Sequence, residues 1–542
     1  MSTGTLTPRR PGLRRGRDSY WQLLRAEWTK FRTVRGWVIG MIVAALVMVL
    51  IGLFAAGSAH IGCGGGPGNS PALSGAACLP HVPTGPGGEA VTDSFYFVRQ
   101  PLAGNGSITV RITALTGQYG GGGGPAIPGS ALSDMHRGIQ PWSKAGIIIA
   151  DSTKQGSAYA AMMVTGSHGV AMQDDYTQDI AGLPGTVSAA SPRWLRLTRS
   201  GDTVTGYDSA DGTGWTRVGT AHLAGLSATV QVGLLATSPS YMHLTPFFGG
   251  SSGQVGPSLA TGVFDHVSLS GGRPGGAWTG DNVGNSDAYG SQTSRVETFR
   301  QAGGRFTVTG SGDIAPDVTG PASGVPTATI ENHLVGTFAG LIAVVVVAAM
   351  FMTAEYRRGL IRTTLAATPR RGRVLAAKAF VIGLVAFVTG LVAAAVAVPI
   401  GIRLDRGEGQ YVLPVTLLTE VRVLAGTAAL LAVAAVFAVA VGTMLRRSAA
   451  AVAAVIVVIV LPYILGVAGL LPEGAGEWLL RLSPAAAFAI QQSMPQYPQV
   501  ANVYTPANGY FPLAPWAGFA VLCGYAALAL GAAFFLLRRR DA

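Results

Sequence analysis

The stretch HLVGTFAGLIAVVVVAAMFM at residues 333–352 decides the fold class, because its twenty residues include no Lys, Arg, Asp or Glu. A helix of about 20 apolar residues crosses the roughly 30 Å hydrocarbon core of a bilayer. The sequence therefore predicts an α-helical multi-pass membrane protein with six transmembrane helices. The other five predicted spans have similar length and composition: Gly36–Gly57, Ala379–Ile400, Val423–Leu445, Ala449–Leu471 and Pro515–Leu537.

The overall composition supports this class. Hydrophobic residues make up 49% of the 542 residues and charged residues only 12%, whereas a soluble globular chain has about 25% charged residues. A single soluble domain is excluded, and so is a disordered chain, which needs low hydrophobicity. Three cysteines in this length exclude a disulfide-dense scaffold and a multi-cysteine zinc module.

The basic residues predict the topology of the chain. If residues 1–35 are cytoplasmic, then 354–378, 446–448 and 538–542 are cytoplasmic too, and these four segments hold 21 Lys and Arg against four acidic residues. The rest of the chain holds 17 basic and 22 acidic residues. This asymmetry follows the positive-inside rule, so the net charge of +12 reflects topology and not nucleic-acid binding. Both termini are expected in the cytoplasm of a bacterium, the protein in its plasma membrane, and residues 58–332 outside.

The first predicted span has two interpretations. Small residues at Ala56–Ala59 would suit a signal-peptide cleavage site. The apolar run from Gly36 to Gly57 exceeds the usual 7–15 residues of a signal-peptide core, and the 35 residues before it form a long N-terminal region. We expect an uncleaved anchor.

The sequence divides into several segments with different patterns. Ser19–Arg35 predicts an amphipathic helix with Leu23, Leu24, Trp28 and Phe31 on its apolar face; a basic helix of this kind lies in the inner headgroup region, although a plain stop-transfer flank is the alternative. The predicted domains are a basic arm with this elbow helix (1–35), the first span (36–57), a Gly/Pro-rich linker (58–90), an extracytoplasmic β-sandwich (91–310), a second linker (311–332) and a five-helix region (333–542) with a cytosolic loop at 354–378.

Residues 91–310 alternate between apolar and polar positions in short runs separated by Gly, Asp and Ser turns, which is typical of an antiparallel sandwich. Cys63 and Cys78 precede these runs in an oxidising compartment, and we expect a disulfide between them. The predicted strands are Phe95–Arg99, Ser107–Ala114, Gly146–Ala150, Ala158–Val164, Trp194–Thr198, Thr203–Tyr207, Trp215–Val218, Thr229–Thr237 and Val263–Leu269, with Arg305–Gly310 returning to an edge of the same sheet.

The order of these strands resembles a concanavalin-A-like (laminin-G-like) jelly roll over about 180 residues. The matching pieces are DSFYFVRQPLAGNGSITVRI (93–112), WSKAGIIIADSTKQGSAYAAMMV (142–164), PRWLRLTRSGDTVTGYDSADGTGWTRVG (192–219), VQVGLLATS (230–238) and FDHVSLSG (264–271). The resemblance implies a lectin-like domain that contacts a ligand or the cell wall, or a structural sleeve without a ligand.

No catalytic constellation is visible in the sequence. Glycoside hydrolysis needs two carboxylates facing each other across a cleft, and spacing alone does not place two of the sandwich acids in that way. Asp174, Asp175 and Asp179 could bind calcium but lack the spacing of a calcium loop, which favours a solvated loop. Trp142, Trp194 and Trp215 could stack on sugars, but tryptophans at strand starts more often fill a sandwich core, and we expect that role.

The cytosolic loop EYRRGLIRTTLAATPRRGRVLAAK (355–378) concentrates basic residues around a helix-breaking Thr368-Pro369. It can set topology, bind anionic lipid or bind an acidic partner. No GxxxxGK[ST] phosphate loop occurs in the chain, so ATP-driven work would need a second polypeptide.

This loop, together with LLRAEWTKFRTVRGW (23–37), resembles the permease subunits of type-2 ATP-binding cassette exporters. The resemblance implies export powered by a separate cytosolic ATPase that holds ATP and Mg²⁺, no enzymatic activity or cofactor in this chain, and a homodimer or a paired permease. A non-transporting, membrane-anchored glycan-binding or sensing protein is the alternative. The residues expected to act in the ATPase-coupling loop are Glu355, Arg357, Arg358, Arg362, Arg370, Arg371 and Arg373; Glu355, Arg357 and Arg358 are expected to contact the partner, and Arg370–Arg373 to contact either the partner or lipid.

Overall fold

A computed structural model of the chain describes residues 20–57, 82–120, 135–247, 250–272, 277–284, 297–319, 327–357, 359, 371–467, 471, 473–502 and 504–539. The expected disulfide of Cys63 and Cys78 lies outside these residues, as do Arg358, Arg362 and Arg370 of the loop and the basic arm before Tyr20.

Six helices of the described chain are long and apolar enough to cross a membrane, which confirms the predicted number and positions. The elbow helix α1 (Tyr20–Thr33) precedes them. The spans are Arg35–Gly57, Ile330–Arg357, Arg371–Gly407, Leu417–Leu445, Ser448–Val467 and Pro515–Arg539, called here the first to the sixth. Consecutive spans run in opposite directions across the bundle. The elbow helix therefore lies at one end of the bundle (the elbow end) and the β-sandwich at the other (the sandwich end).

The bundle has one buried apolar core and an apolar outer surface. Leu341, Ile382 and Leu431 are fully buried between spans, while Phe54 and Leu528 are exposed on the outside, as expected of side chains that face lipid. Spans one and two approach at backbone distance, because a Cβ atom on Gly52 would lie 2.1 Å from the His333 carbonyl oxygen. The fifth span contains a π-helical turn at Ile456–Val460, just before Pro462, whose ring cannot continue the regular hydrogen-bond ladder.

The insert between the first two spans is an all-β sandwich, as predicted. Its large sheet has the strand order β11-β10-β9-β3-β15-β18-β17, with β4 paired to β3, and its second sheet has the order β16-β2-β12-β5-β6-β7-β8. The strands are β1 Val91–Asp93, β2 Phe95–Ala103, β3 Gly106–Gly120, β4 Met135–Arg137, β5 Lys144–Ala150, β6 Tyr159–Thr165, β7 Val170–Asp174, β8 Gln178–Ala181, β9 Arg193–Ser200, β10 Thr203–Ser209, β11 Thr216–His222, β12 Thr229–Thr237, β13 Tyr241–Phe247, β14 Gly250–Gly256, β15 Ser258–Gly271, β16 Thr279–Val283, β17 Thr298–Ala302, β18 Arg305–Gly310, β19 Ile314–Pro316, β20 Thr327–Ala328 and β21 Tyr411–Val412.

The seven-stranded sheet is covered on both faces. Its inner face packs against the large sheet through residues such as Val98, Ile147 and Met162. Its outer face carries a second buried cluster that includes Phe97, Tyr159 and Ile314, because β19 pairs with β1 across that side. Lys144 is buried there and donates to Asp313 Oδ1 at 2.5 Å and to the Ile314 carbonyl at 2.9 Å. The predicted return of Arg305–Gly310 is confirmed, although β18 lies between β15 and β17 and not at the edge.

The sandwich contacts the bundle through the segment after β19 and the loop between spans five and six. Asn502 Nδ2 donates to the Thr319 carbonyl at 2.8 Å, and Thr319 Oγ1 donates to the Asn508 carbonyl at 3.1 Å. Val318 packs with Val500 in a small buried cluster. Because this segment also covers the outer face of the seven-stranded sheet, that sheet is on the bundle side and the large sheet turns its outer face away from the bundle.

Candidate functional site

Four charged side chains meet at the elbow end of the bundle and form what we call the elbow cluster: Glu27, Lys30, Glu355 and Lys378. Lys378 Nζ donates to Glu27 Oε2 at 2.7 Å and to Glu355 Oε1 at 2.7 Å. Lys30 Nζ donates to Glu27 Oε1 at 2.7 Å and to Glu355 Oε1 at 3.0 Å. Each ammonium therefore bridges both carboxylates, and the four charges sum to zero.

The helical geometry of each element places these side chains together. Leu24, Glu27 and Phe31 lie on the buried face of the elbow helix, at the i, i+3 and i+7 spacing of one helical face. Glu355 lies in the last turn of the second span and Lys378 two turns into the third. The cluster thus ties the elbow helix to both helices that flank the loop between spans two and three.

Burial makes this cluster energetically demanding. Lys378 is 0% exposed, Glu27 2% and Glu355 5%, and removing one partner from a buried ion pair leaves an uncompensated charge that costs about 3–5 kcal/mol. Burial by itself lowers the pKa of Lys30, but the hydrogen bonds and charges of Glu27 and Glu355 outweigh it and raise that pKa above its ordinary value. The elbow helix is consequently held by ion pairs whose charges are compensated only when the elbow helix, the second span and the third span are packed together.

Aromatic rings surround the cluster on its membrane side. The Lys378 ammonium lies 4.8 Å from the centroid of the Phe351 ring, within cation–π range. Phe351 contacts Trp37 edge-on at 5.0 Å and Phe31 at 6.0 Å between ring centroids. These rings join the elbow helix, the first span and the second span, and they keep water from the buried side of the charges.

The structure separates the predicted loop residues into two groups. Glu355 is buried in the elbow cluster, where its carboxylate accepts from Lys378 and Lys30; its contact with a partner stays a prediction. Arg357 and Arg373 are exposed at the two edges of the loop. Arg371 donates to the Leu537 carbonyl at 2.7 Å and so joins the third span to the sixth.

Sequence reasoning did not find Glu27, Lys30 and Lys378 as a site. Glu27 and Lys378 are 351 residues apart, and no local pattern connects them. The available signal was an acidic residue on the apolar side of a basic amphipathic helix, where a buried carboxylate requires a cation nearby.

A second polar region lies at the sandwich end, where the spans meet the 3-10 helix Pro484–Gln491. Gln491 Nε2 donates to Thr337 Oγ1 at 3.0 Å and to Thr427 Oγ1 at 3.1 Å. His333 Nε2 lies 3.3 Å from Asp405 Oδ2, and both side chains are buried. The predicted end of the third span at Ile400 is therefore too early, because the helix continues to Gly407 and carries Asp405 into the bundle. Charged residues inside spans are costly and mark functional sites.

The tryptophans of the sandwich do not fill its core, contrary to expectation. Trp142, Trp194 and Trp215 are half-buried and do not belong to the buried clusters of the described sandwich. The Arg196 guanidinium lies 3.9 Å above the Trp215 ring, on the outer face of the large sheet, and Trp194 lies beside Arg111 and His266 on the same face.

The acidic residues of the sandwich show no metal centre: in the described part of the chain, no three His, Cys, Asp or Glu side chains gather as metal ligands. β7 ends at Asp174, and the tight turn that follows contains Asp175 and Tyr176, which have φ angles of 41° and 64°. Burial, followed by the charge of Asp175, raises the pKa of Asp174 to about 6.

A family model for ABC-2 family transporter proteins matches residues 153–542. Because this match covers more than half of the chain, the protein belongs to the ABC-2 transporter family, whose members are membrane-spanning permease components. The match includes most of the sandwich and the second to sixth spans. A search of curated proteins finds no match.

Several solved structures are similar to part of this chain. One is a functionally unknown protein from Saccharomyces cerevisiae, 16% identical, covering 35% of this chain and 82% of that chain with a TM-score of 0.20. Another is the GH43 protein BlXynB from Bacillus licheniformis, 16% identical, covering 31% and 27% with a TM-score of 0.18. A third is a lectin from Bauhinia forficata in complex with GalNAc, 12% identical, covering 39% and 91% with a TM-score of 0.18. Scores this low carry no inference about what the sandwich binds.

Proposed function

We propose that this permease is the membrane half of an ATP-driven exporter in a bacterial plasma membrane, and that a separate cytosolic ATPase acts on its elbow end. The observation that carries the proposal is the elbow cluster, which bonds the elbow helix to both helices flanking the loop at 358–370. A push on this loop would move spans two and three together with the elbow helix, because breaking any one link exposes a buried charge.

The ATPase contact is assigned to exposed cations at the loop edges. Arg357 and Arg373 face outward from the ends of spans two and three, where an acidic surface of the ATPase or anionic lipid headgroups can reach them. Arg358, Arg362 and Arg370 belong to the same basic stretch of the sequence. ATP binding would shift the chain between inward-open and outward-open states through the different affinities of the ATPase for the two.

The ATPase contact predicts a specific loss of association. The Arg357→Glu/Arg373→Glu variant should no longer co-purify with the ATPase, because reversal of rim charges replaces attraction with repulsion. A matched control is Arg217→Glu, which reverses an exposed charge on the sandwich. Unchanged co-purification of the loop variant would reject these residues as the contact, and equal loss in the control would show a general effect of charge.

The sandwich is proposed to contact a glycan or cell-wall polymer outside the cell. Trp194 and Trp215 lie on the sheet face that turns away from the bundle, next to Arg111 and Arg196. Aromatic rings with neighbouring polar groups suit the apolar faces and hydroxyl groups of sugars. This observation is equally compatible with the alternative of a non-transporting glycan-binding or sensing protein, so the ATPase experiment discriminates between the two.

Binding of purified cell-wall polysaccharide by the full chain measures this second role. Trp194→Ala should reduce the retained polysaccharide, whereas Trp478→Ala, which changes an exposed ring at the sandwich end of the bundle, should not. Retention that is equal in wild type and Trp194→Ala would remove the large-sheet face from the proposal.

A further inference from the structure

The polar region at the sandwich end borders a cavity that the export mechanism does not require. The cavity has a volume of about 350 Å³ and lies where the first, second, third and fifth spans meet the loop before the sixth. Pockets that hold small molecules have volumes of about 300–1,000 Å³. Its size therefore corresponds to a small organic molecule and exceeds the space of a few waters.

Two acidic side chains, Glu331 and Asp405, and three amides, Asn332, Gln410 and Gln491, give the cavity its polar wall. The lining residues that the structure describes include no Lys or Arg. Glu331 accepts hydrogen bonds from the Ser493 hydroxyl and from the Ser493 amide, the latter at 3.3 Å. The wall therefore carries two acidic side chains, and a cation inside the cavity would be attracted to their carboxylates.

One carboxylate oxygen of the buried Asp405 lacks a hydrogen-bond donor. Asp405 is 2% exposed, and its Oδ2 atom has no hydrogen-bond partner among the described residues. His333 Nε2 is 3.3 Å away but lies outside hydrogen-bonding geometry. A buried carboxylate with an incomplete set of donors is stabilised by a nearby cation, and Asp405 lines the cavity.

Aromatic rings form much of the remaining wall. Tyr463, Phe488 and Phe511 line the cavity, and the rings of Tyr463 and Phe488 lie 4.2 Å apart between centroids. Rings of this kind bind apolar bodies and attract cations through their faces. Carboxylates beside aromatic rings are suited to a molecule with a charged amine at one end and an apolar body at the other.

We propose that this cavity is a binding site for an organic cation, namely an alkylammonium group attached to a small aromatic or aliphatic body. The ammonium pairs with Asp405 and Glu331, and the apolar body lies against Tyr463, Phe488 and Phe511. The proposal goes beyond ATP-driven export, because binding of such a ligand requires neither the ATPase nor transport.

The test uses the full chain in phosphatidylcholine nanodiscs, without ATPase. Isothermal titration calorimetry compares 3-phenylpropylamine, which is a cation at neutral pH, with 3-phenylpropan-1-ol, which has the same body without the charge; empty nanodiscs provide the blank. The variants are Asp405→Asn and Glu331→Gln. The matched control is Glu477→Gln, an exposed carboxylate whose partner is Arg481.

The amine is expected to bind saturably, and the alcohol about tenfold or more weakly. Asp405→Asn and Glu331→Gln should each weaken the amine by about tenfold or more, because truncating one partner of a desolvated charge pair leaves the other charge unpaired, while Glu477→Gln should bind like wild type. Equal binding of amine and alcohol, amine binding unchanged in both cavity variants, or no saturable binding above the blank would each overturn the proposal. If Asp405→Asn does not fold, Glu331→Gln decides the result.

Discussion

Replacing Lys378 by Met tests whether the elbow cluster holds the elbow helix to the bundle. Met keeps an unbranched apolar side chain of similar length but removes the ammonium. Lys378 is fully buried and donates two hydrogen bonds of 2.7 Å, whereas the remaining cation, Lys30, has a side chain that is 38% exposed. Glu27 and Glu355 would then share one partly hydrated ammonium.

Loss of one partner from a buried pair costs about 3–5 kcal/mol, and we expect the lower end because Lys30 still bridges both carboxylates. At 1.36 kcal/mol for each factor of ten, a cost of about 3 kcal/mol raises the population of the undocked elbow helix by about two orders of magnitude. Hydrogen exchange measured by mass spectrometry on residues 20–33 reports this change, and strand β9 in the sandwich serves as the internal reference.

A second variant separates charge from packing. Lys378→Met/Glu27→Gln/Glu355→Gln removes both carboxylates as well and leaves only the charge of Lys30, whose side chain is 38% exposed. Replacing buried ion pairs by neutral groups is often close to neutral in stability. Its exchange should return most of the way to wild type. Equal protection of residues 20–33 in wild type and Lys378→Met would refute the structural role of the cluster, and equal loss in both variants would assign the effect to packing.

Two other predictions concern stability. Burial raises the pKa of Asp93 to about 6, so the stability from this group is present below its unfolded pKa and is lost as the pH rises through 6. About 1.4 kcal/mol of that loss falls between pH 5 and pH 7, and Asp93→Asn should remove it, which is measured as a smaller decrease in the Tm of the full chain over this pH range. In the bundle, Gly52→Val should reduce folded yield by gel filtration relative to Gly531→Val, because a Cβ at Gly52 would meet the His333 carbonyl at 2.1 Å, whereas nothing lies within 4 Å at Gly531.

The sequence predicted the spans well because their signal is local: an apolar run of about 20 residues is sufficient evidence for a membrane helix. The predicted third span is too short, because a charged residue normally marks the end of an apolar run and Lys378 and Asp405 lie on either side of this one. In the structure the third span runs from Arg371 to Gly407, and both charges are buried against residues from other elements. Their burial depends on pairing that a linear pattern does not contain.

The sandwich shows the same division between local and distant information. β12 and β18 have the predicted bounds, because their alternation is regular. Several strands were not predicted, because their short or Gly-rich sequences show little alternation of apolar and polar residues. They are β7 and β8, the β13–β14 hairpin and the edge strands β16 and β17. The position of Trp194 and Trp215 followed from the register of β9 with β3 and β10, which a single sequence does not give.

The proposed ATPase acts on the elbow end of this permease, on the side opposite the sandwich. Photo-crosslinking in native membranes locates this contact, with a benzophenone amino acid placed in turn at Arg357, at Arg217 on the sandwich, and at Leu528 on the exposed surface of the sixth span. We expect an adduct with an ATP-binding cassette ATPase from position 357 and none from 217 or 528. An ATPase adduct from position 217, or none from any position in membranes that contain the ATPase, would contradict it.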